Sequence, residues 1–220
     1  FRSDTGLPVG VMTAVAGSVS AASDRFIITI AAKGGHAARP HTTIDPVVIG
    51  SHIVLALQSI VSRRVDPLAS AVVSIAQFHA GSANNVIPDT AMLSGTVRTL
   101  KPEVQDEVQR LLPMIAETTA LAHGAQASVE YRRGYPPVVN AAEPTERAAA
   151  AAARLLGADK VIRERPPSMG GEDFSFMAQA VPGCFVRIGQ ADGAKGSTAV
   201  HHPKYDFNDA ILPIGASRWA

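Results

Sequence analysis

The chain has 220 residues, 46% of them apolar and 18% charged, with a net charge of +1 at pH 7. This balance provides a real core for one large domain or two small ones. It excludes the electrostatic footprint of a nucleic-acid binder, because no basic run is longer than Arg132-Arg133 and aromatics are few. The single cysteine, Cys184, rules out an internal disulfide framework and fits a reducing compartment. No stretch approaches the ~20 apolar residues of a bilayer span, and the N-terminus lacks a signal-peptide layout. A soluble, cytoplasmic protein with no nucleic-acid or membrane partner is therefore expected. The ends, Phe1-Arg2-Ser3-Asp4-Thr5 without an initiator Met and a helix pattern just starting at Ile211, read as those of a fragment.

Residues 6–22 read as an irregular or short-strand entry segment. The β-branched run from Arg25 to Ala32 predicts a strand. It leads into Gly34-Gly35-His36-Ala37-Ala38-Arg39-Pro40-His41, where two glycines permit close backbone approach and two histidines sit on a loop. The loop is either built for polar work or is a turn with solvated histidines. Asp45-Pro46 is a helix start, with Asp as N-cap and Pro in the first turn. Ile49, Ile53, Leu57, Ile60 and Val61 then recur at helical spacing. His52 on this helix reads as a flanking or interface residue.

Ser70 to His79 predicts a second strand and Val86 to Thr99 a third, interrupted by Pro88-Asp89, the two forming an antiparallel pair. Pro102 opens a second helix with Val104, Val108, Leu111, Leu112 and Ile115 on one face. Pro113 is expected to kink it, and Gly124 to cap it. Ala127 to Tyr131 is a fourth strand. The order β-α-β-β-α-β predicts a ferredoxin-like domain, a four-stranded antiparallel sheet with two helices on one face.

Gly134-Tyr135-Pro136-Pro137 marks a domain boundary. An Ala-rich helix follows over Glu143–Leu156, then a short strand at Val161-Ile162. Met169-Gly170-Gly171-Glu172-Asp173 is a Gly-rich turn entering a helix. Gly183 to Gly189 reads as a buried strand, with Cys184 a core thiol. A polar loop (190–199) then delivers His201-His202-Pro203-Lys204-Tyr205-Asp206-Phe207.

Several residues could carry chemistry. His201 could be a single metal ligand or a solvated loop histidine. Adjacent His201 and His202 diverge, and no second ligand cluster stands in the chain. The Gly170-Gly171-Glu172 turn could hold a carboxylate on free N–H groups or simply cap its helix. Arg98 could fork onto a carboxylate or make a surface salt bridge. Asn84-Asn85 could be plain turn residues.

In chain order, Gly6-Leu7-Pro8-Val9-Gly10, the His36 loop, Asp45-Pro46, Asn85-Val86-Ile87-Pro88-Asp89, Gly95-Thr96-Val97-Arg98-Thr99, Gly134-Tyr135-Pro136-Pro137, Met169 to Phe174 and His201 to Phe207 resemble the aminoacylase and carboxypeptidase-G type of metal-dependent amidohydrolases. The nearest branch is that of hippurate hydrolase and the indole-acetyl-amino-acid hydrolases. The resemblance implies an α/β catalytic domain that binds two divalent ions, zinc or manganese, and an inserted ferredoxin-like lid that makes a homodimer. Residues 1–22 would be a remnant of the catalytic domain, 23–133 the lid and 134–220 the C-terminal part of the catalytic domain. By resemblance, His36 polarises the scissile carbonyl in a partner's site, Asn85, Arg98, Gly170, Gly171 and Glu172 hold the substrate, and His201 is a metal ligand.

The family's other ligands and its catalytic glutamate fall before residue 1, and Arg2 stands where the family has a further histidine. The expected activity is hydrolysis of the amide of N-acyl amino acids by a metal-activated water, which these residues alone would not perform. The alternatives are an inactive, dimerising ferredoxin-like module, or a related peptidase or deacylase.

Overall fold

Three short strands open the chain: β1 (Arg2–Pro8), β2 (Met12–Thr13) and β3 (Gly17–Ser20). They are followed by β4 (Ser23–Ala31), β5 (Gly35–His36), α1 (Pro46–Ser59), β6 (Ala71–Ala80), β7 (Val86–Ile87), β8 (Thr90–Thr99), α2 (Pro102–Ala122) and β9 (Gln126–Tyr135). The last part comprises β10 (Val138–Asn140), α3 (Ala142–Leu156), β11 (Val161–Ile162), α4 (Phe174–Ala180), β12 (Arg187–Ala191) and α5 (Ile211–Ser217). This computed structural model describes residues 1–193 and 195–217. The chain divides into two units: the first holds Phe1–Val19, Val138–Ser168 and the stretch from Asp173 on, the second Ser20–Pro137 and Met169–Glu172.

The second unit is an antiparallel sheet in the order β6-β8-β4-β9, built from β4-α1-β6-β8-α2-β9, which is the ferredoxin-like arrangement. In β4, Asp24, Phe26, Ile28 and Ile30 are buried while Arg25, Ile27, Thr29 and Ala31 are exposed. That alternation puts one face of the strand under the helices. Ile49, Ile53 and Leu57 of α1 and Val108, Leu111, Leu112, Ala116 and Ala120 of α2 close the core over Leu93 and Val97. Each fully buried Ile or Leu contributes about 1.5–3 kcal/mol.

The Asp45 carboxylate accepts from the Val47 N–H at 2.8 Å, so the N-cap forms as its sequence dictates. Beyond Ser59 the helix widens into a π-turn over Ile60–Arg64. Contrary to the sequence reading, the 19-residue stretch Pro46–Arg64 is, by length and composition, long and apolar enough to cross a membrane. Ile49, Ile53, Leu57 and Ile60 nevertheless pack it into the unit's core.

Other boundaries also move. The expected third strand is cut at Pro88, and its first part, β7, pairs with β5 outside the main sheet. Helix α2 runs unbroken past Pro113. Gly124 takes φ +79° and ends that helix, with Ala125 N–H donating to the Ala120 carbonyl.

In the first unit β1-β12-β2-β11 make a mixed sheet and β10 pairs with β3. Strand β12 begins at Arg187 rather than Gly183, and Cys184 lies half-buried before it instead of inside the strand. The reason is Asn140: its side chain takes the Phe185 N–H at 2.7 Å and donates to the Phe185 and Val15 carbonyls. Phe185's backbone is thereby held by a side chain and not by a strand neighbour.

Asp24 of β4 is fully buried. Its carboxylate accepts Gln105 Nε2 on both oxygens at 2.9 Å, the Tyr131 hydroxyl at 2.7 Å and the Gly134 N–H at 3.1 Å. Asp24→Ala would orphan the buried Gln105 amide and the Tyr131 hydroxyl. It should lower the unfolding free energy by on the order of 3 kcal/mol, read from urea denaturation followed by circular dichroism. A loss below about 1 kcal/mol, the scale of an ordinary surface change, would show the network to be dispensable.

Candidate functional site

The His36 loop is held from three sides. A Cβ on Gly34 would lie 2.4 Å from the Ile87 carbonyl oxygen, so only glycine lets β5 and β7 approach this closely. The Gly34 N–H donates to the Asp89 carboxylate at 2.9 Å, and the Ala37 N–H donates to the Asn85 carbonyl at 3.0 Å. His36 thus stands opposite Val86, next to Asn85, and both His36 and Asn85 are exposed. His36 Nδ1 accepts from the Ala38 N–H at 3.0 Å. In the neutral ring the proton therefore sits on Nε2, which faces away from this loop contact as a donor.

Arg98 and the 169–172 turn form a second cluster in the same unit. A Cβ on Gly171 would lie 3.3 Å from Arg98 Nη1, 2.8 Å from Ser23 Cβ and 3.2 Å from the Tyr135 ring. The Ser20 hydroxyl fixes the turn by donating to the Gly170 carbonyl at 2.5 Å. The turn, expected with residues 134–220, instead belongs to the second unit, because these contacts tie it to the start of β4 and the end of β9. Glu172 is half-buried at its end. Chemically, a guanidinium lined by bare backbone and an aromatic ring is suited to a carboxylate. Ser20, Ser23 and Tyr135 did not stand out in the sequence as site residues. The Gly134-Tyr135-Pro136-Pro137 motif was the available signal, read there as a boundary.

The structure does not bring these two clusters together. In β4, Asp24 pairs with Val97 at the Arg98 end and Ala31 with Thr90 at the His36 end. Seven steps of about 3.4 Å, roughly 24 Å, separate these two ends of β4.

His201 lies in the first unit, exposed in a turn at φ +70°. Its loop is anchored by Gln190, whose amide donates to the Gly196 carbonyl and whose own carbonyl accepts Asn208 Nδ2, each at 2.9 Å. His202 Nδ1 is engaged by the Lys204 N–H at 3.1 Å. Among the described residues no three His, Cys, Asp or Glu side chains converge as a metal-binding group. His52, read as a flanking residue, stacks on His123 with ring centroids 4.7 Å apart.

The family model for peptidase family M20/M25/M40 matches residues 6–220. The N-acetylcysteine deacetylase of Bacillus subtilis is 39% identical over 97% of this chain and 54% of its own length. The IAA-amino acid hydrolase ILR1-like 2 of Arabidopsis thaliana is 40% identical over 96% of this chain and 48% of its length. A solved dinuclear metal-binding peptidase of the M20 family from Bacillus subtilis superposes with a TM-score of 0.78 at 32% identity, over 99% of this chain and 53% of that one. This chain spans about half the length of the curated relatives it matches. With a ferredoxin-like unit inserted between the segments of an α/β unit and a family match over nearly its whole length, the chain belongs to peptidase family M20/M25/M40.

Proposed function

We propose that the full-length protein is an amidohydrolase that cleaves N-acyl amino acids, hippurate-like substrates among them. Relatives named as a deacetylase of N-acetylcysteine and a hydrolase of IAA-amino acids support this substrate class. The observation that carries the reading is the locked His36 ring. With Nδ1 occupied by the Ala38 N–H, Nε2–H is a preset donor for a carbonyl oxygen as negative charge develops on it. In this reading Arg98 grips the substrate carboxylate, the Gly170-Gly171-Glu172 turn forms the wall beside it, and Asn85 adds a polar contact next to His36.

A pair of divalent ions, zinc or manganese, belongs to the proposal for the full-length protein, with His201 as the ligand this chain offers. One exposed histidine does not fit a metal pair by itself, so no step is assigned to the metals here.

The homodimer is proposed through the second unit. Strand β6 is at the edge of the sheet, and Phe78 packs under Gly50 of the neighbouring α1. The outer face of α1 leaves Val48 50% and Leu55 70% exposed. A bare edge beside an apolar helix face is what a second copy would cover. A dimer would also let His36 and Asn85 of one copy serve the Arg98 cluster of the other.

In the full-length protein, His36→Ala should lower kcat about 100- to 1000-fold, the loss of one preorganised donor, with metal content unchanged. Wild-type turnover in that variant, assayed on hippurate and N-acetyl amino acids, would overturn the oxyanion role. His201→Ala should instead lose bound metal, measured by elemental analysis after desalting. Leu55→Asp should convert the dimer to a monomer in sedimentation velocity. A wild-type protein that stays monomeric at high micromolar concentration would refute the interface.

A further inference from the structure

The first unit contains a cavity of about 290 Å³, near the lower limit of small-molecule pockets. One end is charged. Asp4, 8% exposed, accepts Arg165 Nη1 at 2.6 Å on one carboxylate oxygen and the Gly6 N–H at 2.9 Å on the other. Arg187 Nη1 stands 3.6 Å from Asp4, an ion pair too long for a hydrogen bond. One carboxylate therefore faces two guanidiniums, and Arg2 lies directly across the strand pair from Arg187. The Thr13 hydroxyl accepts the Arg187 N–H at 3.2 Å, which leaves its own proton to donate. The apolar side chains of Val15, Val19 and Phe185 also line the cavity.

The charges do not balance. Burial tends to push the Asp4 carboxyl up, but the Arg165 hydrogen bond, the Gly6 N–H and the charges of Arg165 and Arg187 hold it below its ordinary value, so it is ionised at neutral pH. Burial lowers the Arg187 guanidinium below its ordinary value. The pull of Asp4 opposes this, and the repulsion of Arg2 and Arg165 adds to it. A second anion beside Arg165 and Arg187 would relieve both the desolvation and the repulsion.

We propose that this cavity binds a small carboxylic acid with an apolar tail, its carboxylate against Arg187 and Arg165 with the Thr13 hydroxyl, and its tail against Val15, Val19 and Phe185. None of His36, Asn85, Arg98, Gly170, Gly171, Glu172 or His201 lines the cavity, so the inference does not rest on the amide-hydrolysis reading. Two features make the site specific. The guanidinium fork recognises the planar carboxylate bidentately, and the apolar wall rewards a tail that acetate lacks.

The test is a titration of the purified chain with benzoate, acetate and inorganic phosphate, followed by amide NMR shifts. Benzoate should move the Thr13 and Arg187 amides and bind at least tenfold more tightly than acetate. Arg187→Met should weaken benzoate at least tenfold, and Arg187→Lys by less. If Arg187→Met does not fold, Val15→Phe, which fills the apolar wall and leaves every charge in place, should abolish benzoate binding instead. Unmoved Thr13 and Arg187 amides, equal affinity for acetate, preference for phosphate, or full affinity in a folded Arg187→Met or Val15→Phe variant would each overturn the proposal.

Discussion

The second unit depends on one buried acidic side chain held by neutral donors. Asp24 sits fully buried at the start of β4, and three groups must arrive correctly to satisfy it: Gln105 from α2, and the Tyr131 hydroxyl and the Gly134 backbone from β9. Burying a carboxylate costs several kcal/mol unless its lone pairs are filled, so the fold with all donors in place is separated from near alternatives in which one is missing. Burial and the bond to Asp24 push the Tyr131 hydroxyl well above its ordinary value, which keeps it a donor. The consequence reaches the candidate site. Gly134, tied to Asp24, is followed by Tyr135, and the Tyr135 ring lies against Gly171 beside the Arg98 guanidinium. A network with no chemistry of its own thereby sets the wall beside the Arg98 guanidinium.

Much of this architecture was legible because it is periodic. The β-branched run of Phe26 to Ile30 marks a strand, Ile49, Ile53 and Leu57 recur at helical spacing, and Asp45-Pro46 announces its helix, so the β-α-β-β-α-β order followed from local rules. What was not legible is set by partners distant in sequence. Pro88 cuts β7 from β8, but only the approach of Gly34 shows that β7 pairs with β5. Strand β9 runs to Tyr135 because Ser23 pairs with it across a register shift, and β12 starts late because Asn140 claims Phe185.

The site divides the same way. The His36 loop could be singled out because glycine pairs ahead of histidines mark a tight approach, and the structure supplies that approach at Ile87. The turn at 169–172 was visible as a motif, but its attachment to Ser20, Ser23 and Arg98 spans most of the chain and leaves no local trace. The Asp4–Arg165–Arg187 cluster was missed altogether. Its members are single charges in unrelated segments, and only the parallel pairing of β1 with β12 and the return of the chain at Arg165 bring them to one cavity.

The spacing of the two clusters in the second unit constrains any mechanism built on them. Arg98 lies on β8 in the four-stranded sheet, whereas His36 and Asn85 belong to the separate β5–β7 pair, which follows the opposite end of β4. A hydrogen-bonded antiparallel sheet does not shorten along its strands, so the roughly 24 Å of β4 between its Arg98 end and its other end is fixed. An N-acyl amino acid places its amide carbonyl a few bonds from its carboxylate, far less than that distance. In the proposed dimer, the two clusters acting on one substrate molecule come from different copies. The apolar face of α1 beside the bare edge of β6 is the surface on which a second copy could be held in register to supply them. In that arrangement the rigidity of the sheet is useful, since it fixes how far one copy reaches into the site of the other.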